Sequence, residues 1–255
     1  MKMLKVCAGV CVVGMALSFA DAARAQGWGD IKGQIVFAGE IPAKKDLKPN
    51  KDQAHCLSKG SLWDDTVLID EKTRGLANVM IWLAPVSGTT MPIHPDLKAV
   101  PKEKVVIDQP CCLFIPRITM MREGQVLEIK NSAPVLHNAK IMGSVTGNGT
   151  INVTISPGQS ITKQPRAEKR PMYLGCDIHQ WMGGRIGVFN HPYFAVSQED
   201  GTFEIKKAPT GKYKIFIQHE KFGWVHQGKA TTGQEIEIKP GAVLDLGKLQ
   251  AKDEQ

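Results

Sequence analysis

From Ile31 onward, apolar positions recur in short runs rich in β-branched residues, separated by Gly, Pro, Asn and Asp, and no segment sustains a helical period. Two early runs, Ile31 to Phe37 and Val79 to Leu83, read as strands, the second a continuous apolar run of the kind buried between two sheets. The middle of the chain alternates strictly. Leu127 and Ile129 share a face within Gln125 to Lys130; Ile151, Val153 and Ile155 share a face within Thr150 to Ile155, directly after the turn signal Asn148-Gly149. Met172 to Cys176 and Arg185 to Phe189 predict two further strands. The last third repeats the pattern at Thr202 to Ile205, Tyr213 to Gln218, Glu235 to Ile238 and Val243 to Leu249. The prediction is an all-β fold of sandwich type.

Two stretches break the alternation. Pro42 to Asp65 is charged and poorly periodic, a long loop containing Cys56, and Lys98 to Lys104, with Pro101 inside it, marks a boundary. At the N-terminus Lys2 and Lys5 precede an apolar run from Val6 to Ala20 and then Ala23-Arg24-Ala25, the succession of a cleaved secretory signal. That run is shorter than the ~20 residues needed to cross a bilayer, so cleavage rather than retained anchoring is expected, with no later membrane insertion. The mature chain would begin near Gln26, in the periplasm or outside the cell.

Composition changes meaning once the signal is set aside. Of six cysteines, Cys7 and Cys11 go with it, leaving Cys56, Cys111, Cys112 and Cys176. The formal charge drops from +7 to +5 on losing Lys2, Lys5, Arg24 and Asp21. No basic block or aromatic-laced groove remains, which together with export argues against nucleic acid.

Candidate chemistry concentrates in Cys176-Asp-Ile-His179-Gln-Trp-Met182, where thiol, imidazole and thioether recur at three-residue intervals between two predicted strands. Upstream, His137 follows an expected strand over Asn131-Ser-Ala-Pro-Val-Leu-His137-Asn138. Two imidazoles, one thiolate and one weak thioether make the ligand set of a blue-copper electron-transfer site, in which soft sulfur stabilises Cu(I) and imidazole holds Cu(II). Each residue alone has a plainer reading: Met182 as core filler, His137 as a loop histidine, Cys176 as half of a disulfide. Their joint occurrence favours a metal.

These residues resemble the cupredoxin family, with a ligand loop of the amicyanin type, over roughly Glu103 to Asn190. The resemblance implies a Greek-key β-sandwich holding one type 1 copper centre. His137, Cys176 and His179 would be the strong ligands and Met182 the axial one. Asn138 would tie the two ligand-bearing loops together from outside the ligand sphere. It further implies an electron-transfer patch in which His179 reaches solvent through an apolar surface, with Trp181 and Met142 as members. The protein would then be an electron carrier, not an enzyme, with a redox partner such as a cytochrome or a dehydrogenase. A zinc site on the same thiolate and imidazoles, a copper-storage site, or a non-redox binding β-sandwich stays open.

With Cys176 on a metal, three cysteines remain. Cys111 and Cys112 would face opposite ways in an extended strand, so one of them can meet Cys56; Cys56 with Cys112 is favoured and Cys111 is left open. The C-terminal stretch, Ser197 to Ile205 followed by Ala208-Pro-Thr-Gly211-Lys-Tyr213, resembles the carboxypeptidase regulatory-like (transthyretin-like) β-sandwich. Its ~60 residues are few for an independent sandwich, and the N-terminal strands look like its missing members. The expected organisation is a signal over 1–25, an N-terminal β segment and loop over 26–100, the copper domain over 101–190 and the second small β-sandwich over 191–255, with a simple series of domains as the rival to a split sandwich. His191, His219 and His226 lack fixed spacing and read as ordinary loop histidines. The sequons at Asn148 and Asn152 read as chance. None of the seven histidines forms a His-x-His pair, and no C-x-x-C-H occurs, which argues against multicopper enzymes and c-type cytochromes.

Overall fold

The computed structural model describes residues 27–225 and 232–253. The segment read as a secretory signal and His226 lie outside the described residues. Among the described residues, sixteen strands carry the fold. They are β1 (Trp28–Phe37), β2 (Met80–Pro85), β3 (Val105–Asp108), β4 (Ile118–Arg122), β5 (Leu127–Lys130), β6 (His137–Met142), β7 (Thr150–Ile155) and β8 (Ser160–Lys163). The series continues with β9 (Met172–Gly175), β10 (Gly183–Phe189), β11 (Phe194–Val196), β12 (Thr202–Pro209), β13 (Gly211–His219), β14 (Gly223–Trp224), β15 (Gln234–Ile238) and β16 (Val243–Ala251). A short α-helical turn, α1 (Gln53–Cys56), lies in the loop between β1 and β2. Among the described residues, no helix is long and apolar enough to cross a membrane.

Strands β3 to β10 pair only with one another, in a five-stranded sheet ordered β4-β10-β9-β6-β7 and a three-stranded sheet ordered β3-β5-β8. Ile107, Leu127 and Ile129 from the smaller sheet meet Met121, Ile141, Leu174 and Ile186 from the larger in one buried cluster, so the alternation of these strands aims one face of each sheet inward. The two sheets form a β-sandwich around this core.

The remaining strands come from both ends of the chain. β1 lies between β12, antiparallel, and β16, parallel. β2 pairs with β11 and β13. Ile31, Ile35, Ile81, Leu83, Ile205 and Ile215 fill the core between these sheets. The continuous apolar run of β2 has a specific cause: Ile81 and Leu83 face this core, whereas Met80 and Trp82 turn to the other side and pack on Ile118 and Phe189 of the inserted sandwich. Trp82 stacks on Phe216 at 5.1 Å and on Phe189 at 5.8 Å between ring centroids. Buried Arg117 at the foot of β4 pairs with Asp65 and, at 2.8 Å, with Glu220, adding a polar clamp to that junction.

The two ends of the chain interlock through buried backbone contacts. Gly75 lies so close to the backbone of Asp200 and Gly201 that a Cβ would collide with it. Ser197 is buried, accepts a hydrogen bond from the Val79 amide at 2.9 Å and donates one to the Leu76 carbonyl at 2.7 Å. Ser197→Ala strands both backbone groups, and a loss of about 1–3 kcal/mol is expected in urea denaturation; an unchanged midpoint would show that water replaces the hydroxyl.

Candidate metal centre

Asn131 to Leu136 differs from expectation. It is a loop, because Asn131 turns its side chain onto the chain itself: Nδ2 donates to the carbonyls of Val135 (2.9 Å) and Ile155 (2.8 Å), and Oδ1 accepts from the Ala133 amide (3.0 Å). The strand starts at His137, opposite Ile155 of β7, so this imidazole stands at the end of the sandwich. The antiparallel pair β9–β10 brings Gly175 opposite Gly183 and makes Cys176 to Met182 the connection at the same end. The Cys176 amide donates to the Met182 carbonyl (3.3 Å) and the Met182 amide to the His179 carbonyl (2.9 Å), closing the loop on itself.

This convergence places the donor atoms of His137, Cys176 and His179 all within 4.8 Å of one another. The rings of His137 and His179 are 4.6 Å apart. Met182 is buried in the same apolar cluster as Cys176. His137 is 0% exposed and neither ring nitrogen has a hydrogen-bond partner. A buried imidazole with two idle nitrogens costs on the order of 1–3 kcal/mol per unmet group unless something completes it. Burial, reinforced by the neighbouring His179, pushes its pKa down to about 4, so at neutral pH it offers a lone pair rather than a proton. The donor set and the unsatisfied imidazole fit a bound metal ion.

Asn138 lies across the two loops. Its Oδ1 accepts from the amides of Asp177 (2.8 Å) and Ile178 (3.2 Å) and lies 3.2 Å from the Cys176 sulfur, while Nδ2 donates to Asn152, which in turn donates to Asp177. The His179 amide also points at the Cys176 sulfur, at 3.4 Å. One backbone amide and the Asn138 side-chain oxygen thus hold the thiol directly, and the Asp177 and Ile178 amides hold that oxygen in place.

The expected solvent-facing patch does not form. His179 is 0% exposed, because the segment between β1 and β2 lies over it as a strap. Asp52 Oδ2 sits 2.9 Å from His179 Nε2, and the half-buried Trp181 donates its indole N–H to the Cys112 carbonyl at 3.1 Å. Met142 is exposed but stands at the opposite end of β6 from His137, ~17 Å along the strand. The strap is stapled by a disulfide between Cys56 and Cys112, and Cys111 is a free thiol. Asp52 and His55, the latter close enough to depress the pKa of both site histidines, are the residues that sequence reasoning missed. The one available signal was Cys56 itself, which could point to them only once Cys112 was known to lie beside the ligand loop.

His191 and His219 are buried away from this centre and belong to no cluster of metal-ligating groups among the described residues. Each accepts backbone amide hydrogens on Nδ1, from Tyr193 and from Lys221 and Phe222 respectively. Burial holds both pKa values at about 4. Unfolded, they would titrate near ~6.5, so the unfolded chain gains protons first as pH falls. Stability is therefore complete above that value and decreases as pH drops toward 4, which urea denaturation of the metal-free chain at a series of pH values will show as a falling midpoint.

No family model matches the sequence, and no curated protein matches it. Among solved structures, the chain is similar to an oxidised mutant of amicyanin (17% identity, 33% of this chain and 81% of that one, TM-score 0.30). It is also similar to a purple cupredoxin from Nitrosopumilus maritimus (20% identity, 32% and 97%, TM-score 0.28). A third likeness is to a copper-containing nitrite reductase from Thermus scotoductus (19% identity, 38% and 25%, TM-score 0.31).

Proposed function

We propose that this chain is an exported type 1 copper protein that passes single electrons between redox partners through one mononuclear centre on His137, Cys176, His179 and Met182. The observation that carries the reading is the fully buried His137, with both ring nitrogens unpartnered and a thiol and a second imidazole in reach. A copper ion bound there would supply a one-electron couple. The chain's part is to hold a thiolate, two imidazoles and a thioether in a dry site whose backbone is already closed by hydrogen bonds, so that a change of charge demands little rearrangement. The disulfide accords with an oxidising compartment.

Cu(II) added to the purified, metal-free chain should bind one equivalent and produce an intense visible band from thiolate-to-copper charge transfer. A colourless chain that binds Zn(II) tightly would instead establish a non-redox site on the same residues. Met182→Ala should leave copper bound and shift the reduction potential measured by voltammetry, because a weak axial donor tunes the couple without holding the ion. Loss of binding in that variant would place Met182 among the strong ligands.

A further inference from the structure

An imidazole in a metal site must present a bare nitrogen to the ion, and the group bonded to its other nitrogen decides which one is bare. His179 Nδ1 faces the Cys176 sulfur at 3.9 Å, while Nε2 faces the Asp52 carboxylate at 2.9 Å. A carboxylate accepts and does not donate, so this contact requires the proton on Nε2 and leaves Nδ1 bare toward the sulfur.

Asp52 is not held there by accident of a loose loop. The strap is tied to itself by the Leu47 amide on the Leu62 carbonyl (2.9 Å) and the Asp64 amide on the Lys45 carbonyl (2.8 Å). Leu62 is buried in the core cluster of the inserted sandwich, with Leu47 packed against it. Asp52 takes a left-handed backbone conformation (φ 48°) immediately before α1, its carbonyl accepts from the Cys56 amide at 2.9 Å, and Cys56 is disulfide-bonded to Cys112. Trp181, two residues beyond His179, closes the circuit through its bond to the Cys112 carbonyl.

We propose that Asp52 is a positioning residue for the metal centre: from a disulfide-anchored strap it holds the His179 ring with Nε2 protonated and Nδ1 turned to the metal. The inference rests on the proposed metal role of His179 and extends it to a residue outside the sandwich. Asp52 touches no metal, and its effect passes through the imidazole, to which the carboxylate lends electron density.

The test has a metal-free arm and a metal arm. In the metal-free chain, nitrogen-15 spectra of the histidine rings should show His179 as the Nε2–H form in the parent. Asp52→Ala should give a mixture of tautomers, and Asp52→Asn, whose side-chain oxygen can still accept, should restore the single form. In the metal arm, competition titration with Cu(II) should show a ~10–100-fold weaker affinity for Asp52→Ala, the range for losing a partner behind a ligand histidine, with a higher reduction potential and with Asp52→Asn between it and the parent. Parental tautomer and affinity in Asp52→Ala would overturn the positioning role while leaving the copper reading standing. A parent that takes up no metal would overturn the copper reading, and the tautomer spectra alone would then decide whether Asp52 orients the ring. Urea midpoints of both variants close to the parent's will show that the strap is still folded.

Discussion

Cys176→Ser is expected to abolish the visible band that Cu(II) gives the parent chain and to weaken copper binding by more than ~100-fold, beyond the range typical of residues that act behind a ligand. Bound to the metal as a thiolate, this sulfur would be the anionic soft donor, and the band would arise from charge transfer out of it. A serine oxygen is smaller and is not ionised at neutral pH, so it can neither supply that transition nor neutralise the ion. The substitution keeps a polar group in place, because the groups around the thiol can also partner a hydroxyl. Asn138 Oδ1 at 3.2 Å can accept its proton and the His179 amide at 3.4 Å can donate to it. The fold should survive, as thermal denaturation of the metal-free variant will confirm. A variant that kept the colour would exclude Cys176 as the ligand.

Removing the staple should have the largest effect on stability. Cys56 and Cys112 are separated by 56 positions, and on the chain-entropy account a cross-link closing a loop of that length contributes about 4 kcal/mol by restricting the unfolded chain. The double variant Cys56→Ala, Cys112→Ala should lose that amount in guanidinium denaturation. Hydrogen exchange should rise first in residues 52–56, since the hydrogen bond between Leu47 and Leu62 and the apolar packing of those residues secure only the base of the strap. Unchanged stability and exchange would mean that Leu47, Leu62 and Trp181 hold the strap without the covalent link.

The parts of this molecule that were legible beforehand are those whose partners are close in sequence. Cys176, His179 and Met182 sit in a single connection between two recognisable strands, so their spacing alone sets their convergence, and the period-2 alternation from Leu127 to Ile155 identifies sheets with one buried face. The resemblance singled out His137, which does lie beside Cys176 and His179, although the strand expected before it is a loop, because Asn131 and its hydrogen bonds override the apolar residues around Pro134. The pairing of the N-terminal strands with those beyond residue 194 was legible as a pattern in need of partners. The parallel register of β1 on β16 was not, since nothing local in either strand specifies a neighbour over 200 positions away.

The strap shows the opposite case. Lys51-Asp52 reads as any solvated pair in a charged loop, and no periodicity distinguishes it. It acquires chemistry only because a disulfide to the loop before β4 fastens it over the ligand connection, which also converts His179 from an expected surface residue into a buried one. Sequence by itself determined the all-β class and the connection from Cys176 to Met182 that carries the proposed ligands, for those depend on side-chain alternation and short-range spacing. Tertiary structure alone decided which face of β2 packs on the inserted sandwich, which cysteine meets Cys56 and which carboxylate faces His179, because each depends on contacts between segments far apart in the chain.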